Sequence, residues 1–172
     1  MSTRSSRLLP IILGIIILGI IVYLFMTVEQ KIVTCSNTYT SNDIKITEKV
    51  EATIDGNKIT HMNVSKTIIL PDRFVSEENI NGVKSSLEKS LEYLGHDYYV
   101  ITTGINKVVV DIDLDNNKTI ILNNISFVDG KDLVMKINPN TKSSEVITLK
   151  VGDNYTEGEF MKHLKNNGYT CR

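Results

Sequence analysis

The sequence predicts an α+β fold: an antiparallel β-sheet built from hairpins, two helices packed on one face of it, and one N-terminal transmembrane helix ahead of it. Three observations predict this. Residues 8–28, "LLPIILGIIILGIIVYLFMTV", carry no charge. From Ile44 onward, period-two runs are separated by turn residues, the pattern of half-buried strands. Two later stretches switch to a spacing of three or four, the pattern of an amphipathic helix.

The uncharged run is about 31 Å long as a helix at ~1.5 Å per residue, close to the thickness of a bilayer core. Pro10 falls in its first turn, where a missing N–H costs least. Tyr23 and Phe25 near its far end suit a headgroup region. The rival reading is a cleaved signal peptide, whose apolar part is shorter and ends at a small-residue site that "FMTVEQK" lacks. Arg4 and Arg7 precede the run and place the N-terminus in the cytoplasm by the positive-inside rule. The expected organisation is a short cytoplasmic tail (1–7), the membrane helix (8–28), a linker (29–34) and an extracytoplasmic domain (35–172). The protein is then single-pass at the cell membrane, with the lipid bilayer as its partner through residues 8–28. Lys and Arg total 19 against 20 Asp and Glu, a net charge of −1 with both signs interspersed. No basic stripe marks a nucleic-acid partner, and none is expected.

The outside domain reads as follows. In "IKITEKVEATI", Ile44, Ile46, Val50, Ala52 and Ile54 fall on one face, with Lys45, Thr47, Lys49, Glu51 and Thr53 on the other. "DGNK" (55–58) is a hairpin turn, and "ITHMNVSKTIIL" is the return strand, stopped by Pro71. Ile80, Val83, Leu87, Leu91 and Leu94 then form one helical stripe. Ser76 is its N-cap, Glu77 and Glu78 occupy the first turn, and Gly95 is the stop. "YYVITTGINKVVVDIDLD" is a second hairpin turning at 104–106, with Val108, Val110, Ile112 and Leu114 on one side. "KTIILNNISF" is extended and "EVITLK" is a short strand, while residues 128–144 show no clear period around the loop "INPNTKSS". A last helix opens with a Thr156/Glu159 capping box, buries Phe160, Met161 and Leu164, and stops at Asn167-Gly168.

The strand pair around "DGNKIT", the long helix, the "NKVVVDID" strand and the terminal helix closing on "NNGYTC" resemble the YehR-like family of small bacterial envelope lipoproteins, over roughly residues 33–171. The resemblance implies an α+β extracytoplasmic domain of unassigned function and supplies no catalytic residue. The anchor departs from that pattern. Thr34, not a small residue such as Gly, Ala or Ser, precedes Cys35, and Glu29, Gln30 and Lys31 separate it from the apolar run, which argues against lipidation of Cys35.

Cys35 and Cys171 are the only cysteines. Outside the cytoplasm disulfides persist, and these two bracket a domain whose ends are commonly close in space. A disulfide is expected; the alternative is two free thiols, which no adjacent His or Lys activates. In "DIDLDNNKTI", Asp113, Asp115 and Asn117 take the first ligand positions of a calcium loop. Lys118, however, stands where glycine is needed, and Asn124 where a bidentate Glu is needed. Read as a strand, Asp111, Asp113 and Asp115 simply line a solvated face, so they are metal candidates by composition alone and no cofactor is expected. His61, His96 and His163 lack metal-ligand spacing. Tyr93, Tyr98 and Tyr99, at a helix end running into a strand, read as core, with a ligand-facing patch as the alternative. No phosphate-binding loop, nucleophile elbow or C-x-x-C is present. The function expected is a membrane-anchored extracytoplasmic module, binding or structural rather than enzymatic, that takes an envelope protein or wall ligand. The alternatives are a hydrolase whose site assembles only in three dimensions and a divalent-cation binder using the acidic strand.

Overall fold

Alternation of apolar and polar residues builds two of the long strands, Ile44–Asp55 and Lys58–Ile69. The computed structural model describes residues 14–19, 30–115, 117–123, 125–128, 134–137 and 146–172. Strand β1 (Gln30–Ser41) meets β2 (Ile44–Asp55) across a two-residue turn. Asn42 and Asp43 in that turn both have positive φ, 50° and 65°. That is the mirror-image turn whose twist matches a hairpin, and Asn and Asp tolerate it best after glycine. β2 returns as β3 (Lys58–Ile69) through Gly56 at φ 60°. Their ladder slips between Thr53 and Ile54, leaving Thr60 unpaired as a bulge.

Helix α1 (Glu77–Leu91) crosses from β3 to the hairpin of β4 (Tyr99–Thr103) and β5 (Lys107–Leu114). Ser76 caps it, its Oγ accepting from the Asn79 N–H at 3.1 Å. Beyond Leu91 the chain tightens into two three-residue turns around Gly95, whose φ of 91° few other residues adopt. β6 (Thr119–Asn123), β7 (Ile125–Val128), β8 (Val134–Ile137) and β9 (Val146–Lys150) follow, then helix α2 (Glu157–Lys165) and β10 (Thr170–Cys171). The main sheet has the order β10-β1-β2-β3-β5-β4, while β6·β9 and β7·β8 form separate antiparallel pairs.

One face of the main sheet is apolar. Ile44, Ile46, Val50, Ala52 and Ile54 of β2, Met62, Val64 and Ile68 of β3, and Val108, Val110, Ile112 and Leu114 of β5 belong to a single core. Val83, Leu87 and Leu91 of α1, Phe160 and Leu164 of α2, and Ile120 and Leu149 of the β6·β9 pair share it. Burying each Val, Leu, Ile, Met or Phe side chain among them contributes about 1.5–3 kcal/mol.

The sequence and the structure part at the N-terminal run. A bilayer crossing needs about 20 consecutive apolar helical residues. Among the described residues no helix is long and apolar enough to cross a membrane. Within 8–28 the described helix is residues 14–19, and the rest of that run, with Arg4 and Arg7, lies outside the described residues. The transmembrane helix in the expected fold is therefore corrected, as is the single-pass cell-membrane localisation that depended on it. Residues 1–30 and 31–172 form two separate units.

The expected disulfide is present between Cys35 and Cys171, 136 residues apart. Its register explains it. Thr34 and Arg172 exchange both backbone hydrogen bonds, at 3.2 and 3.0 Å. The next pair, Cys35 and Cys171, therefore sits in the non-hydrogen-bonded position, where facing side chains are closest. A covalent loop of this length stabilises by up to about 5 kcal/mol in the chain-entropy account. Reduction, or Cys171→Ser, should move the denaturant midpoint down by a free energy approaching that figure. An unchanged midpoint in the presence of reductant would show that the bond contributes nothing.

Candidate functional site

Position 48 breaks the apolar face of β2. It falls in phase with Ile44, Ile46 and Val50, yet it is a glutamate, and it is 3% exposed. An unpaired carboxylate there would cost several kcal/mol. Its direct partner across the ladder is Lys66 on β3, whose Nζ lies 2.9 Å from Oε1. That contact is a pairing of charges rather than an aligned hydrogen bond. The other oxygen, Oε2, accepts from the Tyr169 hydroxyl at 2.6 Å. Tyr169 arrives because Gly168, at φ 88°, turns the chain after α2, and the Tyr169 N–H is held by the Leu164 carbonyl at 3.1 Å. Burial first, then the negative charge of Glu48 and the hydrogen bond to it, push the Tyr169 phenol far above the usual tyrosine value. The three groups engage one another, and neither depression described below reaches them. This cluster was missed in the sequence, although the even spacing from Ile44 to Ile54 carried the signal.

The outer face of the same sheet is polar and concave. A depression of about 520 Å³ lies across β2, β3, β5 and β4. Its floor follows the ladder in two rows: Lys49, Ser65, Asp111 and Val100 in one, and Glu51, Asn63 and Asp113 in the next. Asp97, just before β4, borders it. Four carboxylates thus face one ammonium, that of Lys49, which is already 2.9 Å from Glu51. At the margin His61 Nε2 lies 3.2 Å from Asp113. Val100 stands 62% exposed beside these charges.

Of the sequence candidates, Asp111 and Asp113 come together in this depression, whereas Asp115 lies past the end of β5 and does not line it. The calcium-loop spacing does not close: Asn117 sits in a turn at φ 64°, and Asn124 is outside the described residues. Among the described residues no group of three His, Cys, Asp or Glu could hold a metal ion. The three histidines separate. His61 is on the outer sheet face, His96 Nδ1 is 2.9 Å from the Tyr99 hydroxyl, and His163 packs on Tyr155 with ring centroids 5.9 Å apart. His163 also lines a second, shallower depression of about 340 Å³ beside α2. The tyrosines divide as well. Tyr99 is core, Tyr98 lies under the Lys118 ammonium at 4.1 Å, and Tyr93 is exposed, its hydroxyl accepting from the Ile121 N–H. Thr156 and Glu159 form the expected capping box, and the Thr156 backbone and side chain hold the Glu159 carboxyl below its usual value.

Together these features define an α+β protein whose six-stranded antiparallel sheet is filled on one face and open on the other. The chain matches no protein-family model, no curated protein and no solved structure.

Tyr169 makes the buried cluster testable. A phenol held above its unfolded value keeps its proton longer in the folded chain. The stability it contributes is complete below about pH 10 and is lost as pH rises beyond it. Tyr169→Phe should cost about 1–3 kcal/mol at neutral pH by stripping a donor from a buried carboxylate. It should also lose less stability than the parent between about pH 9 and 11. Parallel alkaline limbs in denaturant titrations would contradict this.

Proposed function

We propose that this chain is a non-catalytic binding module that receives a cationic protein segment on the outer face of its sheet. The carrying observation is the depression across β2, β3, β5 and β4, where Glu51, Asp97, Asp111 and Asp113 outnumber the single Lys49. Oriented carboxylates on a rigid sheet attract positive charge, raise the encounter rate and select against anionic partners. The buried ionisable cluster, in contrast, is spent internally: Glu48 is matched by Lys66 and Tyr169. Among the described residues, hydroxyls that meet a possible base serve the fold: Thr156 caps α2 with Glu159, and Tyr99 ties β4 to His96 in the turn before it.

Asp111 and Asp113 are exposed, so their replacement should leave the fold within about 0.5 kcal/mol of the parent. A lysine-rich peptide titrated into the protein at low salt should bind saturably, and binding should weaken as salt is raised. The double variant Asp111→Lys/Asp113→Lys should bind at least ~10-fold more weakly, a difference of about 1.4 kcal/mol. Absence of saturable binding, or equal binding by the variant, would overturn the reading.

A further inference from the structure

Among the described residues, the strand that borders the depression is also an uncovered edge. There β4 is the last strand of the main sheet and pairs with β5 alone. The Gly104 N–H donates to the Lys107 carbonyl at 2.7 Å and closes the hairpin. Antiparallel pairs alternate between bonded and non-bonded positions. Val100 and Thr102 therefore turn their backbone groups toward β5, and Tyr99, Ile101 and Thr103 turn theirs outward. Native edges are usually blunted by lysine, proline, a bulge or extreme shortness. "YVITT" has no charge and no proline, and its register with β5 runs without a bulge. The opposite edge differs: β10 has two residues and is bound covalently to β1.

We infer that the cationic partner docks as an extended strand added antiparallel to the outer edge of β4, with its basic side chains over the depression. This rests on the proposed function above and names how that face is used. Partner residues opposite Val100 and Thr102 share the outer face of the sheet. A lysine or arginine there lays its methylenes on the exposed Val100 and carries its charge toward Asp111 and Asp97. Partner residues opposite Ile101 share the inner face and turn their own N–H groups toward β4. A second copy of this chain is the poorer occupant. Joining two β4 edges would bring two acid-lined faces side by side, and like charges across a ladder oppose pairing.

The register gives a test that requires no variant protein. The probe is a capped peptide of alternating lysine and valine, titrated calorimetrically into the full chain. Two analogues are compared with it, one N-methylated on its valines and one on its lysines. Bound as proposed, the lysines lie outward and the valine N–H groups face β4. Methylated valines should weaken binding at least ~10-fold, and methylated lysines should leave it within ~2-fold, a gap of about 1 kcal/mol or more. Equal binding of all three peptides would overturn strand addition while leaving an acidic binding face in place. No binding by any of them would overturn both. Self-association of the protein that the unmodified peptide cannot displace would assign the edge to a second copy and also overturn the inference.

Discussion

Glu48 is a carboxylate in the apolar layer of a sheet, and the chain around it is arranged so that it is never left unpaired. Removing one partner from a buried ion pair costs about 3–5 kcal/mol, because the surviving charge has no water to turn to. Lys66 stands opposite in the ladder and so ties the charge balance to the strand register. A slip of one residue would turn the apolar face of β3 outward. A slip of two preserves the faces but places Val64 or Ile68 opposite Glu48 and strands both charges. Side-chain packing alone would tolerate that second slip far better. The buried pair therefore acts as a register pin for the β2·β3 hairpin.

The same carboxylate reaches the far end of the sequence. Oε2 accepts from Tyr169, which positions the residues after α2 along β1. With Tyr169 in place, Thr34 and Arg172 share backbone hydrogen bonds and Cys35 faces Cys171. The hydrogen bond and the disulfide thus secure one short segment from two sides, the first by burying a phenol and the second by a covalent loop. The inner layer is closed by this arrangement, whereas the outer face of the sheet presents Glu51, Asp111 and Asp113 to the depression. The inference of an edge-bound cationic strand follows from that division of labour between the two faces.

Much of this architecture is legible in the residues. Alternation identified β2 and β5, the stripe from Ile80 to Leu94 identified α1, and Thr156 with Glu159 identified the start of α2. What escaped has physical causes. β1 has only Val33 and Cys35 fully buried, so its periodicity is too faint to read, and Asn42-Asp43 is a less familiar turn signal than Asp-Gly. Glu48 was passed over because charge normally marks a solvent face, and only its cross-strand partner, invisible in one dimension, makes its burial tolerable. The disulfide could be anticipated from two cysteines bracketing a domain. The acidic depression could not, because Asp97, Glu51 and Asp113 meet only through the order β2-β3-β5-β4. At the apolar run 8–28 the described helix is residues 14–19, shorter than the roughly 20 apolar residues that a bilayer crossing needs.

The account depends most on Glu48 and Lys66 acting as a unit, and a double-mutant cycle on folding free energy tests this directly. Glu48→Met and Lys66→Met should each destabilise by about 3–5 kcal/mol, and the double substitution should cost far less than their sum, since an apolar pair of similar volume can replace a buried ion pair nearly neutrally. Single costs that simply add would contradict the central claim.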